Sequence, residues 1–334
     1  MTAPASGSAA PAPVAPAAPA RPRRSLREWL TGNPVTLKEL RGRMRGARAF
    51  IVLIIYLLSL SVFVTLLYTL YINSNSGGYY GGSTLPDRQV LGKFVFGSVV
   101  GTELLLMCFI CPAFTVGAMS GERERQTMDL LRTTLLRART LVVGKLASAL
   151  AFAALLLVAA LPLQSLAFLL GGVAPEEVVI ANVLLLSTAF VYCAAGVYAS
   201  SIMRRTLGAT ILTYGFVLLD TLGLPIALMP VAALSSGLSY GVFLGPPPLW
   251  IQGVLLYTAG VLISTNPLAT AVATEVVLIS DQTLFTFSVP LSDVLGHTVN
   301  APLVSPWLPW TLFSVLLGAL LILLSVAVIR RGER

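Results

Sequence analysis

Six charged residues fall between positions 122 and 132 of a chain that is otherwise largely apolar: Glu122, Arg123, Glu124, Arg125, Asp129 and Arg132. Their spacing suits ion pairing rather than catalysis. Glu122, Arg125, Asp129 and Arg132 stand at i, i+3, i+7 and i+10, on one helical face and with alternating sign, so each adjacent pair adds about 0.2–0.5 kcal/mol. Met128, Leu131 and Leu135 recur at helical spacing on another face. The stretch 121–134 therefore reads as a short amphipathic helix jointed at Ser120-Gly121. A helix with both stripes is shaped to dock in a partner's groove while its charged rim fixes the register.

Other groups able to do chemistry are few. Cys108 and Cys111 form one CxxC with no second pair and no nearby histidine, and with Cys193 they read as small apolar helix residues. His297 is the sole histidine, so neither a triad nor an HExxH is present. No GxxxxGK[ST] occurs: Gly144-Lys145 is followed by leucine and lacks the upstream glycine. The chain is accordingly expected to be no enzyme, and to bind no cofactor or metal itself. Glu103 and Asp220 lie within apolar runs, where acids are costly and imply function by default. Glu103 reads equally as a translocation-path or dimer-seam group and as a buried hydrogen-bond partner. Asp220, beside Thr221 and Gly223, leans toward structure. Gly97 and Gly101 form a GxxxG that permits close helix approach, placing their span with Glu103 at a possible protomer seam.

The elements that must position these groups follow from composition. Of 334 residues, 56% are hydrophobic and 11% charged, against about 25% charged in soluble domains. Six runs approach or exceed the roughly 20 residues a helix needs to cross a bilayer, at 49–72, 94–119, 141–170, 179–203, 207–232 and 307–329. The expected fold is an all-α polytopic membrane protein. The net charge of +8 does not point to nucleic acid, because the basic residues flank the spans without interleaved aromatics. Of the 22 lysines and arginines, all but Arg88 and Lys93 fall on one side of a six-span arrangement, so both termini are expected in the cytoplasm.

Between the last two spans, 249–265 and 267–280 are separated by Asn266-Pro267, where a helix would break. No lysine or arginine occurs from Thr206 to Ile329, so an outer re-entrant or interfacial hairpin is expected in preference to two further spans. Trp307 and Trp310 read as interface anchors of the last span. Residues 1–32, rich in alanine and proline, are expected to be a disordered cytoplasmic tail, without a cleaved signal.

Ahead of the first span, Thr36 and Glu39 form a capping box that predicts a helix start. Leu37, Leu40 and Met44 make an apolar stripe, and Lys38, Arg41 and Arg45 a basic one. This helix is expected to lie in the inner interface against anionic lipid.

The segment "GERERQTMDLLRTTLLRARTLVVGKLASAL" resembles the stretch after the second span of ABC-2 type transporter permeases, roughly ERExGTxxLLxxTPLS…GK. Glu122, Arg123, Glu124, Thr127, Leu130, Leu131, Thr134, Gly144 and Lys145 match in order, with Gln126 in place of the usual glycine and Leu135 in place of the usual proline. The latter departure implies a helix that runs further. "NPVTLKELRGRMRGAR" is similar to the family's entry segment, the "NPLAT" before the last span agrees as well, and the resemblance covers about 33–334 as one transmembrane domain. It implies a permease subunit, most simply an exporter, in the plasma or inner membrane. ATP and Mg would sit on a separate ABC ATPase, in two copies, gripping residues 122–132. A second permease copy would complete a homodimer or heterodimer. An ion-coupled secondary carrier is the alternative, for which no inverted repeat is seen.

Overall fold

In a computed structural model, residues 34–44, 47–76, 88–127, 138–223, 226, 229–230, 248–280, 283–292 and 298–331 are described. The expected 1–32 tail, His297 and the 128–137 segment lie outside them.

The chain enters through α1 (Pro34–Met44) and α2 (Ala47–Ser76). Next come α3 (Arg88–Thr115), the short α4 (Ser120–Glu124) and α5 (Ala138–Leu170). After these, α6 (Pro175–Ile202) is followed by α7 (Thr206–Leu218), which ends in a π-helical turn over Leu219–Gly223. Among the described residues, six helices are long and apolar enough to cross a membrane, including α10 (Trp307–Arg331). They fall where hydropathy places them, because 20 or more apolar residues satisfy their backbone only as helix in hydrocarbon.

The centre of the bundle is α6, which packs against α3, α5, α7 and α10 and buries residues on every side, among them Leu185, Tyr192 and Val197. Pro175 at its first turn presets a helical φ, and Glu176 and Glu177 complement the positive end of the helix dipole. The preceding turn requires glycine: Gly171 and Gly172 have φ of +83° and +103°, and a Cβ on Gly172 would sit 2.5 Å from the Gln89 carbonyl oxygen. At the α6–α10 contact, a Cβ on Gly318 would lie 2.3 Å from the Phe190 ring, so only glycine permits this approach. Trp310 is buried at this contact and donates to Thr188 Oγ1 at 3.2 Å, while Trp307 donates to the Leu284 carbonyl at 2.8 Å. Trp310 is thus tied to protein rather than standing as a lipid anchor, while Trp307 is half-buried.

The segment before α10 forms two short helices, α8 (Leu249–Ile263) and α9 (Pro267–Ser280), turned 119° from one another. At 1.5 Å per residue each is only about 20 Å long, too short to cross alone. Asn266 makes the turn: its Oδ1 accepts from Ala269 N at 2.8 Å, capping α9, with Pro267 next. Its Nδ2 donates to the carbonyls of Asp220 and Thr221, which belong to the π-helical turn of α7. The hairpin tip is thus fastened near the middle of the bundle.

One feature departs from the all-α expectation. Residues 286–292 and 298–304 pair as an antiparallel hairpin, β1 (Thr286–Ser292) and β2 (Thr298–Val304), with Val289 opposite Ala301. The strict alternation of "TFSVPLS" was a legible signal, masked by Pro290, which argues against a central strand. Phe287, Val289 and Leu303 line an apolar cavity of about 750 Å³ shared with α8, α9 and the start of α10.

Candidate functional site

The charged segment stands at the end of the bundle where the lysines and arginines gather. The helix expected to run through 121–134 stops at Glu124, and Gln126 adopts a left-handed backbone, φ +58°. That conformation favours glycine, the residue the resembled pattern carries at this position. As a result the helical face that Glu122 and Arg125 begin is interrupted at Gln126. Met128, Asp129, Leu131 and Arg132 lie outside the described residues.

Each charge of "ERE" finds a different distant partner instead. Glu122 accepts from Lys145 Nζ at 3.0 Å through Oε1, and from the Thr127 hydroxyl through Oε2. Arg123 donates to the carbonyls of Ser201 at 2.8 Å and Met203 at 3.0 Å, covering the unpaired acceptors at the end of α6. Glu124 accepts from Thr206 N at 2.7 Å and from its hydroxyl at 3.0 Å, so it caps the N-terminus of α7 from across the bundle. Just before them, Ser200 Oγ accepts from the backbone N–H groups of Met119 at 2.7 Å and Ser120 at 2.9 Å.

Lys145 closes the arrangement. Only 5% exposed, it donates to the Ala118 carbonyl at 2.6 Å as well as to Glu122, and its Nζ lies 3.5 Å from Glu39 of α1. The Gly144-Lys145 pair and the glutamates far from it in sequence are therefore one clasp, joining α1 and the ends of α3, α5, α6 and α7. Outward from the clasp, Arg125 and Gln126 are exposed.

Glu39 does not form the expected capping box. The helix starts two residues before Thr36, at Pro34, because proline fits the first turn, and Thr36 is buried. Helix α1 packs against α5, with Lys38 and Arg41 exposed and Leu40 half-buried. The side chains of Leu37 and Met44, and all of Arg45, lie outside the described residues.

The intramembrane positions separate. Glu103, fully buried, receives both its hydrogen bonds from Gln164 Nε2, at 3.0 and 2.8 Å, and Gln164 Oε1 accepts from Asn182 Nδ2 at 2.9 Å. This is a polar thread through α3, α5 and α6 inside one chain. Gly97 and Gly101 do not share it and make no close contact: a Cβ on either would meet nothing within 4 Å. They face a cavity beside α9 instead. Asp220 Oδ2 accepts from the buried Tyr192 hydroxyl at 2.8 Å. Cys108, Cys111 and Cys193 are free and buried, with the Cys193 thiol 3.7 Å from the Cys111 carbonyl.

Hydropathy and local periodicity carry no trace of these pairings, since the partners of Arg123 and Glu124 are some 80 residues away. The one available signal was the fixed recurrence of ERE and GK in the resembled pattern.

Residues 34–331 match the family model described as ABC-2 family transporter protein. Comparison with curated proteins gives no match.

Proposed function

The chain belongs to the ABC-2 family of transporter proteins, and from that premise we propose that it is an export permease driven by ATP hydrolysis on a separate chain. The single observation that supports coupling most is the clasp. One short segment, Ser120–Thr127, bonds to Lys145 of α5, to the last carbonyls of α6 and to the first N–H of α7. A push on this segment reaches three spans besides its own α3 through the side-chain bonds of Glu122, Arg123 and Glu124. Glu122–Glu124 is the fastening, and Arg125 and Gln126, exposed below it, begin the surface that an ATPase grips.

The basic end then faces the cytoplasm of a plasma or inner membrane, both termini included, in keeping with the one-sided distribution of lysine and arginine. Two permease chains, most simply a symmetric homodimer, pair with two ATPase subunits. Lys38 and Arg41 of α1 are exposed toward anionic headgroups on that side. ATP and Mg bind the ATPase, not this chain.

Capture of the tagged full-length chain from native membranes tests this. Wild type is expected to bring down an ATP-hydrolysing subunit, and Arg125→Glu to bring down several-fold less at equal permease yield. A wild-type capture without ATP hydrolysis, or an Arg125→Glu capture equal to it, would contradict the reading. Glu122→Lys is a poor probe of docking, since it would place a second cation against Lys145 and open the clasp itself.

A further inference from the structure

A second cavity, of about 590 Å³, lies between α3 and α9 and takes in the far end of α2. Its volume falls within the roughly 300–1,000 Å³ that small-molecule sites occupy. Gly97 and Gly101 create it on one side, since neither offers a side chain to fill it, and Val272, Val276 and Ile279 of α9 form an apolar wall on the other.

Two charged side chains, Lys93 and Glu275, break this apolar lining. Glu275 Oε1 is cut off from solvent and, among the described residues, accepts no hydrogen bond. The same holds for Oε2 of Glu177, a residue only 8% exposed, whose charge acts on Glu275. Lys93 acts on both acids, yet forms an ion pair with neither among the described residues. With Glu176, whose charge acts on Glu177, three acids thus stand against one lysine. Buried carboxylate oxygens without a donor are costly, and a cationic group brought between them removes the cost. Tyr71 and Phe94, stacked with centroids 4.3 Å apart, line the same cavity and offer aromatic rings to an ammonium.

We infer that this cavity binds an amphiphile with a positively charged head, its chain lying between Gly97, Gly101 and the α9 wall, and its ammonium held by Glu275 beside the aromatic pair. As a statement about cargo it rests on the transport reading. As a statement about binding it does not, and it is measured without any ATPase.

The full chain in phosphatidylcholine nanodiscs would be incubated with radiolabelled dodecyltrimethylammonium below its micellar concentration, and in parallel with dodecyl sulfonate. Saturable binding of the cation is expected, weakened at least tenfold in Glu275→Gln and abolished in Gly101→Leu, with only non-saturable partition of the sulfonate. Absence of saturable cation binding, sulfonate binding of equal strength, or unchanged affinity in Glu275→Gln would overturn the inference. Should Gly101→Leu fail to fold, the nearly isosteric Glu275→Gln decides, with its melting temperature confirming its folded state. Binding without captured ATPase would refute the transport reading alone, and captured ATPase without binding the cavity alone.

Discussion

Lys145→Ala is expected to destabilise the chain by about 3–5 kcal/mol, the usual cost of removing one partner from a buried ion pair. The ammonium is almost enclosed and has its donors spoken for by Ala118, Glu122 and, more distantly, Glu39. Its removal leaves two half-buried carboxylates repelling one another and a carbonyl unpaired, at the point where α1, α3 and α5 meet. Lys145→Met combined with Glu122→Leu should lose less than the sum of the two single changes, because it removes both charges together. Melting of the purified single and double variants, arranged as a cycle, reads the coupling directly, and a coupling energy of about 1–3 kcal/mol is expected. Strict additivity would mean that the two residues are neighbours without being partners. Limited proteolysis gives an independent view: opening of the clasp should speed cleavage between Thr127 and Ala138.

The second large effect belongs to the buried polar thread. Gln164→Leu keeps the volume of the site but leaves Glu103 buried without a donor and Asn182 without one acceptor. An orphaned buried group costs about 1–3 kcal/mol, and more when charged. Glu103→Gln is the informative contrast, since an amide oxygen still accepts from Gln164. A structural role predicts that Gln164→Leu melts early while Glu103→Gln melts and hydrolyses ATP, in complex with its ATPase, almost as wild type does. If Glu103→Gln melted normally but lost ATP-coupled function, Glu103 would be acting on cargo rather than on Gln164.

Hydropathy made the spans legible because lipid imposes one rule on every crossing helix, and Asn266-Pro267 made the hairpin break legible because proline acts locally. The charged segment was only half legible. Its alternating signs suggest pairs within one helix, and nothing local reveals that Gln126 turns the backbone away at φ +58°. Its true partners, Lys145, Ser201, Met203 and Thr206, become neighbours only when α5, α6 and α7 have packed. Glu103 posed the same difficulty: a buried acid announces cost, and which residue meets that cost depends on the tertiary structure. The glycines of α3 are a different case: GxxxG permits close approach without supplying the helix that approaches, and within one chain the space beside them is left open.

The central claim is that the segment after α3 faces the ATPase while its glutamates hold the spans. Site-specific cross-linking from Gln126→Cys tests it most directly. The native cysteines are buried, so an exposed thiol at 126 can be labelled selectively with a photoactivatable maleimide in the complex taken from native membranes. Light should join this chain to the ATPase subunit from position 126, and should not do so from Phe285→Cys at the base of the β-hairpin, which is also exposed. Efficient labelling at 126 with adducts only to lipid, or equal ATPase adducts from both positions, would contradict the account.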